Sequence, residues 1–188
     1  LGLPAGLVGC VDVIAGGRKG LLDVGRVSGG DYPEGRCFGN GIGIGFDTRV
    51  GMEAAKFTWI RGAFGYVVGA IKVLAIFPEA PQLVLEHDGG HHEGRCHQIS
   101  IMNGRRMGGA YFMAPDALVD DGLLDLCMAG DLTRRDMAAL IIRYTKGSQA
   151  GHPKITMTRS ARYRITAARG GLDCHADGET ICINGSAL

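Results

Sequence analysis

Residues 37–46 read CFGNGIGIGF, and glycine occupies every second position from Gly39 to Gly45. A repeat of two residues is the period of a β-strand, in which successive side chains point to opposite faces. All four glycines therefore fall on one face, and the larger residues fall on the other. Because the glycine face has no side chains, the pattern predicts a strand that another backbone or a ligand approaches closely.

The composition describes a globular chain without a strong charge. Its 188 residues are enough for one domain with a sizeable core, or for two small domains sharing an interface. The net charge of +1 gives no strong attraction to nucleic acid. Glycine is the outlier, with 32 residues spread along the chain, where they suit turns and close backbone approaches. The most apolar stretch, 62–71, is far shorter than the roughly 20 residues that span a bilayer.

The six cysteines form no Cys-x-x-Cys pair, and most lie in apolar surroundings, which favours a reduced, cytoplasmic protein. The first residues, Leu1-Gly2-Leu3-Pro4, read like the middle of a longer protein. We therefore expect residues 1–20 to be the tail of a preceding domain or a linker. The whole of 1–188 is then interpreted as one C-terminal domain.

Hydrophobic periodicity predicts two helices among many short strands. Apolar residues recur every three or four positions from Phe57 to just before Pro78, as in a helix. A second helix begins at Thr133, whose side chain and that of Asp136 form an approximate capping box, and it ends at Gly147. Strands are predicted at 21–27, 37–46, 83–86, 98–102, 123–128, 155–158, 163–166 and 172–183. The turn at 88–90 suggests a hairpin with an eleven-residue loop. These elements predict a mainly β fold, an antiparallel β-sandwich with two inserted helices.

Two acidic clusters are candidates for chemistry. Residues 114–125 contain four aspartates beside Gly122, and such hard oxygen donors suit magnesium. A solvated turn explains them equally simply, and the residues alone favour it. The second cluster is His175–Glu179, where Asp177 and Glu179 either act as base and partner or flank a plain Asp-Gly hairpin turn. Spacing leaves both interpretations open.

Other patterns are weaker. His87, His91, His92, Cys96 and His97 include spacings seen in zinc sites, but they fall in a glycine-rich stretch with no helix to fix their geometry. A plain loop is the preferred interpretation. The glycines of 41–45 do not form a phosphate loop, since no helix start is predicted after them.

Taken in order, several segments resemble one family. Residues 40–50, NGIGIGFDTRV, resemble an Asn-x-x-x-x-Gly-Phe-Asp-Ala motif, and 103–109 resemble Asn-Gly-x-x-x-Gly-Gly. An Ala-Pro-x-Ala motif at 114–117, Asp-Gly-Leu-Leu-Asp at 121–125 and Asp-Gly-Glu at 177–179 follow. The series resembles the C-terminal region of diacylglycerol kinases, bacterial lipid kinases and sphingosine kinases. It covers nearly the whole chain.

The resemblance implies the C-terminal half of an ATP- and magnesium-dependent lipid kinase that phosphorylates a lipid hydroxyl. In that family a preceding α/β domain carries a Gly-Gly-Asp-Gly-Thr nucleotide loop, which is absent here, so we expect this fragment alone to be inactive. The family's magnesium site maps to the side chain of Asp121 and the backbone carbonyls of Leu118 and Leu123. Its proton acceptor maps to Asp177 and Glu179, with Glu179 as the base or its orienter.

The implied partners are a lipid substrate, ATP and the surface of a membrane that the protein contacts peripherally, with no nucleic acid; a homodimer stays open. Two other functions compete: a domain like that of the nicotinamide-dinucleotide kinases, and a non-catalytic lipid-binding module. One departure from the family is the end of the chain, because the sequence after Glu179 lacks the usual proline-bearing strand.

Overall fold

A computed structural model describes residues 4, 6–17, 19–56 and 63–188 of the chain. The α-helices in these ranges are α1 (Leu7–Ala15), α2 (Phe46–Ala55), α3 (Ala63–Ile76) and α4 (Arg134–Lys146). The strands are β1 (Gly25–Gly29), β2 (Tyr32–Phe38), β3 (Gly41–Gly45), β4 (Gln82–His87), β5 (Gly90–Arg95), β6 (Gln98–Met102), β7 (Leu124–Ala129), β8 (Ile155–Ser160), β9 (Tyr163–Arg169), β10 (Leu172–Ala176) and β11 (Glu179–Gly185).

The strands form three antiparallel sheets. The largest has six strands in the order β11-β10-β3-β6-β7-β8, so that β3 lies between β10 and β6. A three-stranded sheet has the order β5-β4-β9, and β1 pairs with β2 in a hairpin. The predicted mainly β, antiparallel sandwich is confirmed.

Each face of the six-stranded sheet has its own hydrophobic core. One face packs against the smaller sheet through residues such as Ile42, Ile44, Leu83 and Leu85. The other face packs against the helices, with Met137 and Leu140 of α4 among its fully buried members. The isoleucines of β3 belong to the first core, so the glycine face of β3 lies toward the helices.

The helix of 133–147 follows its sequence signals closely. Thr133 accepts a hydrogen bond from the amide of Asp136, and the Asp136 side chain accepts one in return from the amide of Thr133, which completes a capping box. Gly147 ends the helix in the left-handed conformation with φ of 68°. Both predicted caps are confirmed.

Several predicted elements differ from the structure. The single strand predicted at 172–183 is two strands, β10 and β11, separated by a turn at 177–178. The strand of 37–46 is broken at residues 39–40, and Phe46 begins α2, a helix that was not predicted. The eleven-residue loop contains β5, which pairs with β4 through a two-residue turn, whereas β6 joins the other sheet. The structure has two further helices that were not predicted, α1 and α2, so the described ranges contain four α-helices. α3 covers the second part of the helix predicted from Phe57; residues 57–62 lie outside the described ranges.

The six cysteines are free, and four of them are buried. None of the helices in the described ranges is long and apolar enough to cross a membrane.

Candidate functional site

The hairpin of β10 and β11 turns through Asp177 and Gly178. Ala176 pairs with Glu179 across the turn, which leaves a two-residue loop. Both loop residues have positive φ, 49° at Asp177 and 87° at Gly178, as a type I′ turn requires. The acidic cluster therefore forms an Asp-Gly hairpin turn, which fixes where its two carboxylates lie, while their roles as base and partner stay a prediction.

The carboxylate of Asp177 binds the bend between β2 and β3. It accepts hydrogen bonds from the backbone amides of Gly39, Asn40 and Gly41, at 2.7, 3.1 and 2.9 Å. The amide of Asp177 in turn donates to the carbonyl oxygen of Gly41 at 3.0 Å. Both carboxylate oxygens of Asp177 thus already have donors, so this side chain positions the bend that begins β3.

Glu179 has different surroundings. Its side chain is 66% exposed, and it forms an ion pair at 2.7 Å with Arg36 of β2. Arg36 also donates a hydrogen bond to the hydroxyl of Tyr32 at 3.1 Å. Of the two predicted catalytic residues, Glu179 is therefore the one with an exposed carboxylate, and its catalytic role stays a prediction.

A cavity of about 790 Å³ lies beside this turn, between the glycine face of β3 and the helices. We call it the α2 cavity. Its polar end includes Asn40, Gln98, His175 and Asp177. Its remaining wall is largely apolar and comes from α2, α3, α4 and the segment 107–113, through side chains such as Val50, Met52, Ala70, Met107, Met113 and Ile141.

Three neighbouring residues, one on each of three adjacent strands of the sheet, lie beneath the polar end of the cavity. His175 of β10 pairs with Gly43 of β3, and Gly43 pairs with Ser100 of β6. Asp47, in the first turn of α2, accepts a hydrogen bond from the Ser100 hydroxyl at 2.5 Å. No role was predicted for Asp47 or His175 from the sequence. Two features of the sequence could have indicated these residues. Asp47 belongs to the Gly-Phe-Asp motif, and His175 comes two residues before Asp177.

Burial changes the protonation of both groups. It raises the pKa of the Asp47 carboxyl to about 7, although hydrogen bonds from Ser100 and Gln98 act in the opposite direction. Some surface of Asp47 stays exposed, but surrounding protein atoms limit its contact with water. Burial lowers the pKa of His175, which nearby Asp177 partly offsets. At neutral pH the pair therefore consists of a neutral imidazole and a partly protonated carboxyl group.

The second predicted site is the turn at Asp121-Gly122. Asp121 accepts a hydrogen bond from the amide of Leu123 at 3.1 Å, and its other oxygen is 3.4 Å from Arg159. The amide of Gly122 donates to the carboxylate of Asp23 at 2.7 Å. The turn thus combines carboxylate and backbone oxygens, the donor types that magnesium prefers, although Arg159 competes for the Asp121 carboxylate. The predicted ligands Asp121, Leu118 and Leu123 fit a cation chemically, and their role stays a prediction.

Asn103 connects the two predicted sites. This fully buried residue belongs to the Asn-Gly motif at 103–104. Its side-chain amide donates to the carbonyl oxygens of Asp23 and Gly39, at 2.8 and 2.9 Å. Asp23 holds the Asp121 turn and Gly39 is held by Asp177, so one side chain couples the two acidic turns.

The histidines do not share a site. His91 and His92 are successive residues of β5, so their side chains leave opposite faces of the strand. Cys96 is buried, and its thiol donates to backbone carbonyls. Within the described ranges, no three His, Cys, Asp or Glu side chains are grouped so as to hold a metal ion.

The antiparallel sandwich, with helices and an acidic hairpin turn on one side of its larger sheet, places the chain among NAD kinase-like β-sandwich domains. More narrowly, the chain belongs to the family described as the YegS C-terminal NAD kinase beta sandwich-like domain, whose pattern matches residues 40–186.

Relatives and solved structures agree with this family. A protein named diacylglycerol kinase from Mycobacterium tuberculosis is 27% identical over 174 residues, which are 91% of this chain and 54% of that protein. A Staphylococcus aureus protein of the same name is 26% identical over 95% of this chain and 55% of its own length. The crystal structure of a putative diacylglycerol kinase from Bacillus anthracis superposes with a TM-score of 0.68 at 18% identity, covering 100% of this chain and 60% of that one. The chain spans about half the length of these curated relatives.

Proposed function

We propose that the protein containing this chain is a lipid kinase that transfers the γ-phosphoryl group of ATP to the hydroxyl of a diacylglycerol-like lipid. This chain would supply the side of the site that binds the lipid. The observation that carries the proposal is the α2 cavity, because it joins a largely apolar wall to an acidic hairpin turn. Its volume of about 790 Å³ is within the range of small-molecule sites.

Glu179 is the proposed proton acceptor. Its neighbours Gly178 and Thr180 line the cavity, whereas Glu179 itself is outside the lining and its exposed carboxylate pairs with Arg36 of β2. In the proposed step the carboxylate takes the proton of the lipid hydroxyl while the oxygen bonds to the γ-phosphorus. The bond between that phosphorus and the bridging oxygen of ADP breaks, and ADP leaves with the electron pair. Asp177 contributes by positioning the hairpin and the bend of 39–41.

Asp121, Leu118 and Leu123 are the proposed magnesium ligands. Bound magnesium would neutralise charge on the phosphates of ATP or fix the turn that faces them. The hydrogen bonds through Asn103 support a link between this turn and the Asp177 hairpin.

Contact with a membrane surface is part of the proposal. α3 contributes Gly65 and Ala70 to the cavity and exposes Val67 and Ile71 by 42% and 64%. An apolar helix face at the edge of a lipid-sized cavity suits a protein that takes its substrate from a bilayer. We therefore propose a cytoplasmic protein that meets the membrane peripherally.

The discriminating experiment is a kinase assay of the intact protein with labelled ATP and diacylglycerol, phosphatidylglycerol or sphingoid bases. Glu179→Gln is expected to reduce kcat by about 100-fold or more, as loss of a general base does. Glu34→Gln is the matched control, since Glu34 is an exposed acid of β2 and, unlike those of Glu179, its chain neighbours do not line the cavity. Full activity in Glu179→Gln would remove Glu179 from the mechanism.

Nucleotide binding is a separate part of the proposal. We expect tight ATP binding to require the portion of the relatives that this chain does not cover. Calorimetry on the 188-residue chain should accordingly show no micromolar affinity for ATP, and finding such an affinity would contradict this expectation.

A non-catalytic lipid-binding module is the second candidate. It is favoured by one observation: both oxygens of Asp177 are bound to amides, and Glu179 is paired with Arg36. A module of this kind would bind lipid with unchanged affinity in Glu179→Gln and would show no phosphorylated product in the same assay.

A further inference from the structure

A second cavity, of about 580 Å³, lies beside Gly45, the last residue of β3, whereas the Asp177 hairpin lies at the first residue of that strand. Phe46 and Met52 of α2 line both this cavity and the α2 cavity, so the helix lies between the two. We call the second one the arginine cavity. Its lining includes three arginines, which are Arg49 of α2, Arg95 of β5 and Arg169 of β9. The proposed phosphoryl transfer uses none of them.

Two of the three arginines leave the same face of the three-stranded sheet. Arg95 and Arg169 both pair with Gln82 of β4, one from each side. Directly paired residues of antiparallel strands point to the same face, and Gln82 lines the cavity as well. The side chain of Arg169 forms no hydrogen bond or ion pair within the described ranges. Arg95 is paired at 2.9 Å with Glu79, whose side chain is 76% exposed, and a ligand anion can replace such an exposed partner at little cost.

The third arginine, Arg49, is held in place through one of its nitrogens. Its Nε donates a hydrogen bond to one carboxylate oxygen of Asp173 at 2.8 Å, and the other oxygen accepts one from the amide of Asn184 at 3.0 Å. Because Asp173 is buried, this pair fixes the direction of the Arg49 side chain. The two terminal nitrogens of Arg49 form no hydrogen bond to any described residue. They leave a planar edge of N–H donors, which suits a phosphate group.

His97 adds an uncharged donor to the lining. Its Nδ1 lies 3.1 Å from the amide of Leu132, which can only donate, and 3.3 Å from the carbonyl oxygen of Gly130. Nδ1 therefore accepts, and because burial lowers the pKa of His97, the neutral ring carries its proton on Nε2. The ring stacks on Phe77 with 4.7 Å between centroids, which fixes its orientation. Nε2 has no partner among the described residues, so its N–H is available to a ligand in the cavity.

The balance of charge in the arginine cavity favours an anion. Three acids also line it, and each has a cationic partner; they are Glu53, Glu79 and Asp173. Glu53 is paired at 2.6 Å with both Lys56 and Lys72, and neither lysine lines the cavity. The other two acids are each paired with one arginine. Arg169 is therefore left with a positive charge that no carboxylate of the described lining balances.

Apolar side chains form another part of the lining. Phe46 and Val73 are buried, whereas Ile76 and Ile183 line the cavity and stay exposed. Exposed apolar side chains beside a group of arginines suit a ligand that joins an anionic group to an apolar one. The volume of about 580 Å³ is also that of a small-molecule site, which is far more than a phosphate ion fills.

We propose that the arginine cavity binds a phosphate monoester with an apolar organic part. The three arginines hold the phosphate, and the organic part lies against Ile76 and Ile183. Each guanidinium group can bind two phosphate oxygens, and Nε2 of His97 donates a further hydrogen bond. The phosphate takes the place of Glu79 on Arg95. This site is separate from that of the proposed phosphoryl transfer, and binding there does not depend on kinase activity.

The test measures binding of inorganic phosphate, hexyl phosphate and dioctanoyl phosphatidic acid to the intact protein by calorimetry. The wild type should bind both esters, and it should bind inorganic phosphate about tenfold or more weakly, because that ion has no apolar part. Arg169→Gln should weaken binding of both esters by about tenfold or more, since it removes charge-assisted hydrogen bonds. Arg169→Lys keeps the charge and should recover part of the affinity. Ile183→Ser should weaken the esters without changing the affinity for inorganic phosphate.

Arg164→Gln is the matched control, because Arg164 is an exposed arginine of the same strand that does not line the arginine cavity; its affinities should equal those of the wild type. Urea unfolding verifies that each variant is folded. Absence of ester binding by the wild type would overturn the proposal, and so would wild-type affinity in Arg169→Gln. Equal affinity for inorganic phosphate and hexyl phosphate would overturn the apolar part. Tighter binding of phosphatidic acid than of hexyl phosphate would support a lipid as the source of the monoester, and the reverse would support a small soluble ester.

Discussion

The two ends of β3 each lie against an aspartate, and the two carboxyl groups have opposite surroundings. At the start of the strand, Asp177 accepts three backbone hydrogen bonds from residues 39–41. At its end, Asp47 accepts one strong hydrogen bond from Ser100 and lies among protein atoms that raise its pKa to about 7. The first carboxylate has donors for both oxygens, whereas the second has few donors and little water.

This difference shows that the surroundings, rather than the residue type, decide what each aspartate does. Its three amide donors make Asp177 a structural anchor for the bend and the hairpin. A carboxyl group with few donors in a half-buried place takes up a proton instead, which makes Asp47 responsive to pH and to ligands.

The largest effect is expected at the anchor. Asp177→Ala removes the acceptor of three amides and should lower the free energy of unfolding by about 2–4 kcal/mol, since hydrogen bonds to charged groups are strong but these are partly exposed. Urea denaturation measures the change. Asp120→Ala is the control, as Asp120 is an exposed acid with no side-chain hydrogen bond within the described ranges, and it should change little. If Asp177→Ala has the same urea midpoint of unfolding as the wild type, the anchoring role is contradicted.

A smaller effect on the free energy of unfolding, with the opposite sign, is expected for Asp47 at the other end of β3. Because the folded pKa of Asp47 is raised from 3.8 to about 7, the folded protein binds the extra proton between these values, and its stability falls as pH rises through them. Asp47→Asn cannot ionise and keeps an acceptor for Ser100. Its stability relative to the wild type should therefore grow by about 2–3 kcal/mol between pH 5 and pH 8. Parallel urea titrations at the two pH values test this, and a constant difference would show that Asp47 has an ordinary pKa.

The anchor could be predicted from sequence in part, because its signals are local. An Asp-Gly pair between alternating runs indicates a two-residue hairpin, and the structure has one at Asp177-Gly178. The same holds for the capped helix from Thr133 to Gly147, whose signals lie within one or two turns. The partners of Asp177, however, are residues 39–41, which no local pattern connects to it.

The start of α2 at the other end of β3 was not predicted, and the reason is physical. The alternation of 37–46 continues into Phe46, so periodicity extended the strand where the chain begins α2 after Gly45, which has φ of 81°. The apolar spacing of Phe46 and Val50, with Asp47 in the first turn, was the available helix signal. Asp47 and His175 both lie next to Gly43 because of the strand order, which brings β10 beside β3 across more than a hundred residues. Only the glycine face indicated that something lies close there.

The smallest change in stability is expected at Glu179, beside the anchor. Its ion pair with Arg36 is formed by a side chain that is 66% exposed, and exposed ion pairs contribute little to stability. Glu179→Gln should therefore shift the urea midpoint by less than about 0.3 M. If that holds while kinase activity falls, the loss belongs to chemistry rather than to folding. A large shift would instead make Glu179 a second structural residue of the hairpin, and the proton acceptor would have to be sought among the residues that line the α2 cavity.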